Sequence, residues 1–216
     1  MIDRIKNSNE LEDIIKSAPE GKNTKFLSAS HSLWYRFKNY DKHPPFVLKQ
    51  NNEPVAFVFA TYSQRSKYIN LYEIVTMQGQ EGKGYASQIW NLVMEHAYLS
   101  NMRRLKISCT PDSITWHNRN GLVFWAVDPS GSLRSDQPLF PSSNQQVAYR
   151  DSIKNTPHFA LPTDPKILEK LASESLESHK FGAKKTKRIQ KAIEDVGDSW
   201  MRDALLIDQA TLEEFF

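Results

Sequence analysis

The chain has 216 residues and a mass of 24.9 kDa, room for one full domain and an appendage but not for two large domains. With 39% hydrophobic residues, 5 Trp and 11 Phe it can bury a sizeable core, which excludes wholesale disorder, and its single cysteine excludes an internal disulfide framework or a multi-thiolate zinc site. The net charge of +3 is too small to argue for a polyphosphate partner: residues 1–150 carry 18 Lys and Arg against 13 Asp and Glu, and residues 151–216 carry 10 against 12.

The N-terminus, MIDRIKNSNELEDII, is polar where a secretion signal needs an apolar stretch, and no apolar run approaches the roughly 20 residues of a membrane span. A soluble protein of a reducing, cytoplasmic compartment with no membrane partner is expected. Residues 2–6 read as a short strand. Residues 7–17 read as a helix capped by Ser8 or Asn9, with Leu11, Ile14 and Ile15 on one face. Residues 30–40 offer a second short amphipathic helix. Phe46 to Lys49 and Val55 to Tyr62 flank Asn51-Asn52-Glu53-Pro54, a hairpin signature, and Tyr68 to Met77 is a further strand. Ala86, Ile89, Trp90, Val93, Met94, Ala97 and Tyr98 share one helical face, the clearest helix of the chain. A strand over Arg104 to Cys109, a short helix over Asp112 to Asn120 and a strand over Leu122 to Val127 follow. Strands in series with interspersed helices give an α/β sheet domain.

From Pro129 the composition changes. Gly131, Pro138, Pro141, Ser142 and Ser143 read as loop, and three prolines between Thr156 and Pro165 read as a linker. Asp164-Pro165 opens a helix with Ile167, Leu168 and Leu171. The run Lys184 to Lys191 is basic, and Trp200, Leu205, Leu206, Leu212, Phe215 and Phe216 suit a helical element that docks on the domain or on a partner, which allows a homodimer.

Residues 71–98 carry the chemistry. A strand ends near Thr76, the loop MQGQEGKG follows, and a long helix begins at about Gly84. Backbone N–H groups at a helix start lack intrahelical partners and sit at the positive end of the helix dipole. Glycines there admit an anion to the main chain, so the segment reads as a phosphate cradle. It matches neither the nucleotide P-loop nor the dinucleotide fingerprint.

EGKGYA (residues 81–86) resembles the pyrophosphate-binding signature of the GNAT acetyltransferase superfamily, Gln/Arg-x-x-Gly-x-Gly/Ala, with Gly84 and Ala86 on its last two positions. SITWHNRNGL (residues 113–122) is similar to that family's second signature, with Ser113, Trp116, His117, Arg119, Gly121 and Leu122 falling on it in order. Glu81 stands at the Gln/Arg position, and His117 where the family usually has tyrosine.

The resemblance covers roughly residues 1–130. It implies an α/β fold with a mixed, mostly antiparallel central sheet flanked by helices. Residues 1–150 would then form an acyl-CoA-binding domain, and residues 151–216 a linker and helical C-terminal extension. The implied activity is transfer of an acetyl group from acetyl-CoA, as co-substrate, to an amine acceptor. The co-substrate would lie between two splayed strands, its pyrophosphate on the amides of Glu81, Gly82, Lys83, Gly84, Tyr85 and Ala86, with Ser113 and Trp116 beside it. A main-chain N–H from Val75, Thr76 or Met77 would polarise the thioester carbonyl. Glu73 is the implied base for the acceptor amine, and His117 the implied proton donor to the thiolate, with an ordinary pKa near neutrality.

Two rivals remain: an enzyme of the same fold modifying a nucleic-acid base amine, with Lys184 to Lys191 on phosphates, and a non-catalytic acyl-CoA-binding protein, suggested by Glu81 and the missing tyrosine. Trp90 reads as core, Trp34, Trp116 and Trp125 either as lining of the acceptor cleft or, as is usual for aromatic residues on apolar faces, as packing, and Cys109 as a packed small residue. Residues 25–45 and 129–150 are expected as the loops around the acceptor. His31, His43, His96, His158 and His179 have no ligand spacing, so no metal site is expected.

Overall fold

The computed structural model describes residues 2–109, 113–122, 126–127 and 133–153. The linker, the basic run and the C-terminal apolar cluster read from the sequence lie outside the described residues, as does Trp125. In chain order the elements are β1 (Ile2–Arg4), α1 (Ser8–Ser17), α2 (Lys22–Arg36), β2 (Phe46–Gln50), β3 (Glu53–Ser63) and β4 (Tyr68–Thr76). They continue with α3 (Tyr85–Leu99), β5 (Arg104–Cys109), α4 (Ile114–Arg119), β6 (Ala126–Val127), β7 (Leu133–Pro138) and α5 (Ser143–Ile153). Among the described residues the strands form one sheet of seven in the order β1-β2-β3-β4-β5-β7-β6. All neighbours are antiparallel except β4 and β5. The expected fold class is the observed one. None of the described helices is long and apolar enough to cross a membrane.

The continuous apolar run Val55 to Ala60 puts β3 between two cores, because it is buried on both faces. Phe57 and Phe59 point to one core with Leu11, Leu27 and Trp34 of α1 and α2. Val58 and Ala60 point to the other with Ile89, Trp90, Val93 and Met94 of α3. The β2–β3 hairpin turns on Asn51 (φ 51°) and Asn52 (φ 68°), the left-handed pair that a tight hairpin requires.

Four expectations are corrected. The cap of α1 is Asn7, whose side chain accepts from the Glu10 amide, rather than Ser8 or Asn9. The second helix spans Lys22–Arg36 and not residues 30–40. Its Gly21 cap has no side chain, and the missing acceptor comes from Gln78 Oε1, which takes the Asn23 N–H at 3.0 Å. A helix start that depends on a residue 55 positions away has no local signature. Residues after Pro129 are not simply loop: Pro138 closes β7, and Ser142 precedes α5, its hydroxyl taking the Gln145 amide. Those prolines and serines punctuate elements, and α5 runs through residue 150. Trp34 is core packing against Phe59 and Tyr72, its indole N–H on the His43 carbonyl, and does not line the cleft.

Candidate active site

The parallel pairing of β4 and β5 runs from Tyr68 opposite Arg104 to Leu71 opposite Ile107 and goes no further, although β4 continues to Thr76. Past Leu71, β3 is the one strand paired with β4 among the described residues, and a gap opens toward β5. The β3–β4 register slips at the same point: Leu71 faces Ala60 and Glu73 faces Phe59, leaving Tyr72 as an extra residue. A bulge re-aims side chains. Here Tyr72 reaches the Trp34 ring on the α2 face, at 5.3 Å, and Glu73 joins it beside Ser30.

Strand alternation decides which amides face the gap. The Met77 N–H is spent on the Val55 carbonyl at 2.9 Å, so the Val75 amide also points to β3. The outward amides are those of Ile74 and Thr76, and the Thr76 carbonyl, on the same side, accepts from Asn23 Nδ2 at 2.9 Å. Of Val75, Thr76 and Met77, only Thr76 presents an N–H to the gap, and Ile74 joins it.

Beyond β4 the chain passes three left-handed glycines, Gly79 (φ 80°), Gly82 (φ 75°) and Gly84 (φ 79°), each with open space where a Cβ would stand. Gly84 is the N-cap of α3 and offers no side-chain acceptor, and no acidic residue sits in the first turn. Among the described residues no side chain caps these amides, and the space above the glycines is open to an anion. That fits a diphosphate. Glu81, at a position where negative charge would repel one, has its carboxylate bound to Asn23 Nδ2 at 2.8 Å. Gln80 is occupied as well, accepting from Lys83 Nζ at 2.7 Å.

The gap forms a cavity of about 430 Å³. Its walls include Glu73, Ala86, Ser113, Trp116 and His117, five residues singled out from the sequence and delivered by β4, α3 and α4 with its cap. Burial raises the Glu73 pKa above the ordinary carboxylate value, and the Ser30 hydroxyl opposes part of the rise. That hydroxyl also lies 2.8 Å from the Phe26 carbonyl, so its single proton is shared between two acceptors.

His117 is 7% exposed and its Nδ1 has no hydrogen-bond partner. Burial pushes its pKa down to about 4, so near neutrality the ring is uncharged. The near-neutral acid expected from the sequence is corrected accordingly: His117 can offer a neutral N–H or lone pair but no imidazolium. A folded pKa below the unfolded value near 6.5 means the unfolded chain binds more protons between those values. Stability should therefore fall as pH drops from 6.5 to 4, by about 3 kcal/mol for this group. His117→Gln should lose that part of the acid sensitivity, as read from denaturant midpoints at stepped pH.

Helix α4, which carries Trp116 and His117, is held by a buried polar network. Gln137 Nε2 donates to the Gly121 carbonyl at 2.9 Å, Ser135 donates to Gln137 Oε1, and the Arg150 guanidinium of α5 donates to the Asn118 carbonyl. Trp116 stacks edge-on to Trp90 and to His117, at 6.1 and 4.9 Å between centroids. Sequence reading missed Phe26, Tyr72, Ile74 and Ser108 in the cavity wall, and Asn23 and Gln78 behind the loop. The polar Gln78 just after an apolar strand was a usable signal. Asn23 gave none. The supposed acceptor loops are largely helix and strand, since residues 25–36 belong to α2 and much of 129–150 to β7 and α5.

A family model described as the acetyltransferase (GNAT) family matches residues 9–122. An acetyltransferase of that family from Desulfovibrio desulfuricans superposes with a TM-score of 0.52 at 10% identity, over 64% of this chain and 98% of its own. Aminoglycoside 6'-acetyltransferase type Ii does so with a TM-score of 0.53 at 12% identity, over 65% of this chain and 98% of its own. At such identities the likeness is one of fold. No curated protein sequence matches the chain. The match over more than half the chain joins the splayed strands, the glycine loop and the α4 signature in one conclusion: the chain belongs to the acetyltransferase (GNAT) family.

Proposed function

We propose that the protein is an acetyl-CoA-dependent N-acyltransferase acting on a primary amine in the cavity between β4 and β5. The observation that carries this reading is the convergence of Glu73, Ala86, Ser113, Trp116 and His117 on one cavity, beside an uncapped helix start ringed by left-handed glycines. Acetyl-CoA supplies the acyl group and a thiolate leaving group. The amides of residues 82–86 hold its diphosphate, and one outward amide of β4, that of Ile74 or of Thr76, holds and polarises its thioester carbonyl oxygen. Glu73 takes a proton from the acceptor ammonium, which frees the lone pair that forms the C–N bond. As the C–S bond breaks, the second amine proton passes to sulfur, and neutral His117 can steady that sulfur by a hydrogen bond. The single cysteine suits a reducing compartment such as the cytoplasm.

Thiol release from acetyl-CoA, screened over amines and paired with calorimetric CoA binding, tests the assignment. Thiol release with none of the amines would sink it, and absent CoA affinity would remove the coenzyme from the site as well. Glu73→Gln should lower kcat about a hundredfold while leaving CoA affinity in place. In the unaltered protein kcat/KM should rise with pH through the elevated Glu73 pKa, because the base works only when ionised. The variant should lack that limb of the profile.

A further inference from the structure

The acceptor side of the cavity combines apolar walls with little charge. Phe26, Leu71, Tyr72, Ile74 and Ile107 line it together with Glu73, the one acidic residue among its described lining. The apolar surface also continues beyond the cavity. Phe26 is 46% exposed and Tyr72 50%, and Leu33 and Phe37 are exposed at 45% and 64%. Positions 26, 33 and 37 recur along one side of α2, while Leu27, Ser30 and Trp34 face the sheet. Since Phe26 lines the cavity, the stripe starts at its mouth and runs about 16 Å along the helix. Helix α2 carries Lys22, Lys25 and Arg36 and no acidic residue, so its field repels a second positive charge on the acceptor.

We propose that the acceptor is a monoamine on an extended apolar body, an alkyl or arylalkyl amine, with its ammonium at Glu73 and its body along Phe26, Tyr72 and Leu33. This rests on the acyltransferase reading above. One ammonium matches the one carboxylate of the described lining, and a polycation finds no second acid among those residues and meets the cations of α2. The apolar body covers side chains that the described residues leave exposed.

The test uses the full chain with acetyl-CoA, reading thiol release with n-alkylamines from ethylamine to octylamine, 2-phenylethylamine, spermidine and a Phe-Leu-Ala peptide. Turnover per KM should climb about twofold to fourfold per added methylene, with spermidine below octylamine. Leu33→Asp, at a half-exposed position that the fold tolerates, should cut octylamine turnover about tenfold, the loss shrinking as the chain shortens. Leu33→Gln should act likewise but less, separating lost apolar area from added charge. A flat series with brisk turnover, a preference for spermidine, or a preference for the peptide amine would overturn the acceptor assignment and leave the acyltransferase reading standing. Thiol release with none of the amines, despite CoA binding, would remove both.

Discussion

Gly121→Ala should cost the fold about 3 to 5 kcal/mol and lower the melting temperature by about 10 °C. Two effects add. Gly121 has a φ of 85°, where any Cβ meets its own backbone at a cost of about 1 to 2 kcal/mol. That Cβ would also stand 2.4 Å from the carbonyl carbon of Gln146 and 2.5 Å from the Val147 nitrogen. These are backbone atoms of α5 and cannot rotate aside. Nor can the helix slide freely, since Gln146 bonds the Phe140 amide and the Pro138 carbonyl, and Arg150 bonds the Asn118 carbonyl. A thermal melt decides the matter. An unchanged midpoint would mean that α5 does not lie against this turn.

Gly84→Trp is the complementary experiment, because its φ of 79° is nearly the same and its surroundings are the opposite. Nothing lies within 4 Å of a Cβ placed there, so the stability cost stays near the backbone strain of about 1 to 2 kcal/mol. The functional cost should be far larger. An indole at the mouth of the α3 amides blocks the approach of a diphosphate, and CoA affinity should fall by at least about a hundredfold. Calorimetry with CoA and a melt on the same sample separate lost binding from lost folding. Wild-type affinity in this variant would move the coenzyme away from the loop altogether. Two glycines of equal backbone conformation thus serve different ends, one making room for the chain and the other for a ligand.

How much of this was readable beforehand depended on whether the cause was local. The face of α3, the Asn51-Asn52 turn and the glycines at residues 79–84 are properties of a few neighbouring residues, and they stand where the sequence put them. The gathering of Glu73 and His117 was inferable from two motifs, but their states were not. Neutral His117 follows from being enclosed, and the helix that carries it is anchored by β7 and α5, which the prolines concealed. The bulge at Tyr72 is a mismatch between strands, invisible in either strand alone, and it decides that Ile74 and Thr76, rather than Val75 and Met77, present amides to the gap. The early start of α2 was hidden for the same reason, because its cap belongs to a loop three strands further along the chain.

That borrowed cap has a thermodynamic consequence. Gln78 holds the Asn23 amide, and the Asn23 side chain holds both the end of β4 and the Glu81 carboxylate, so the first turn of α2 and the glycine loop order together or loosen together. One of these segments leads to the amides proposed for the diphosphate and the other to the cavity wall at Phe26. Conformational freedom surrendered when one ligand settles need not be surrendered again for the other. Under the acyltransferase reading the two binding energies should therefore be linked, each ligand raising the affinity for the other by the same factor in calorimetry of one with and without the other.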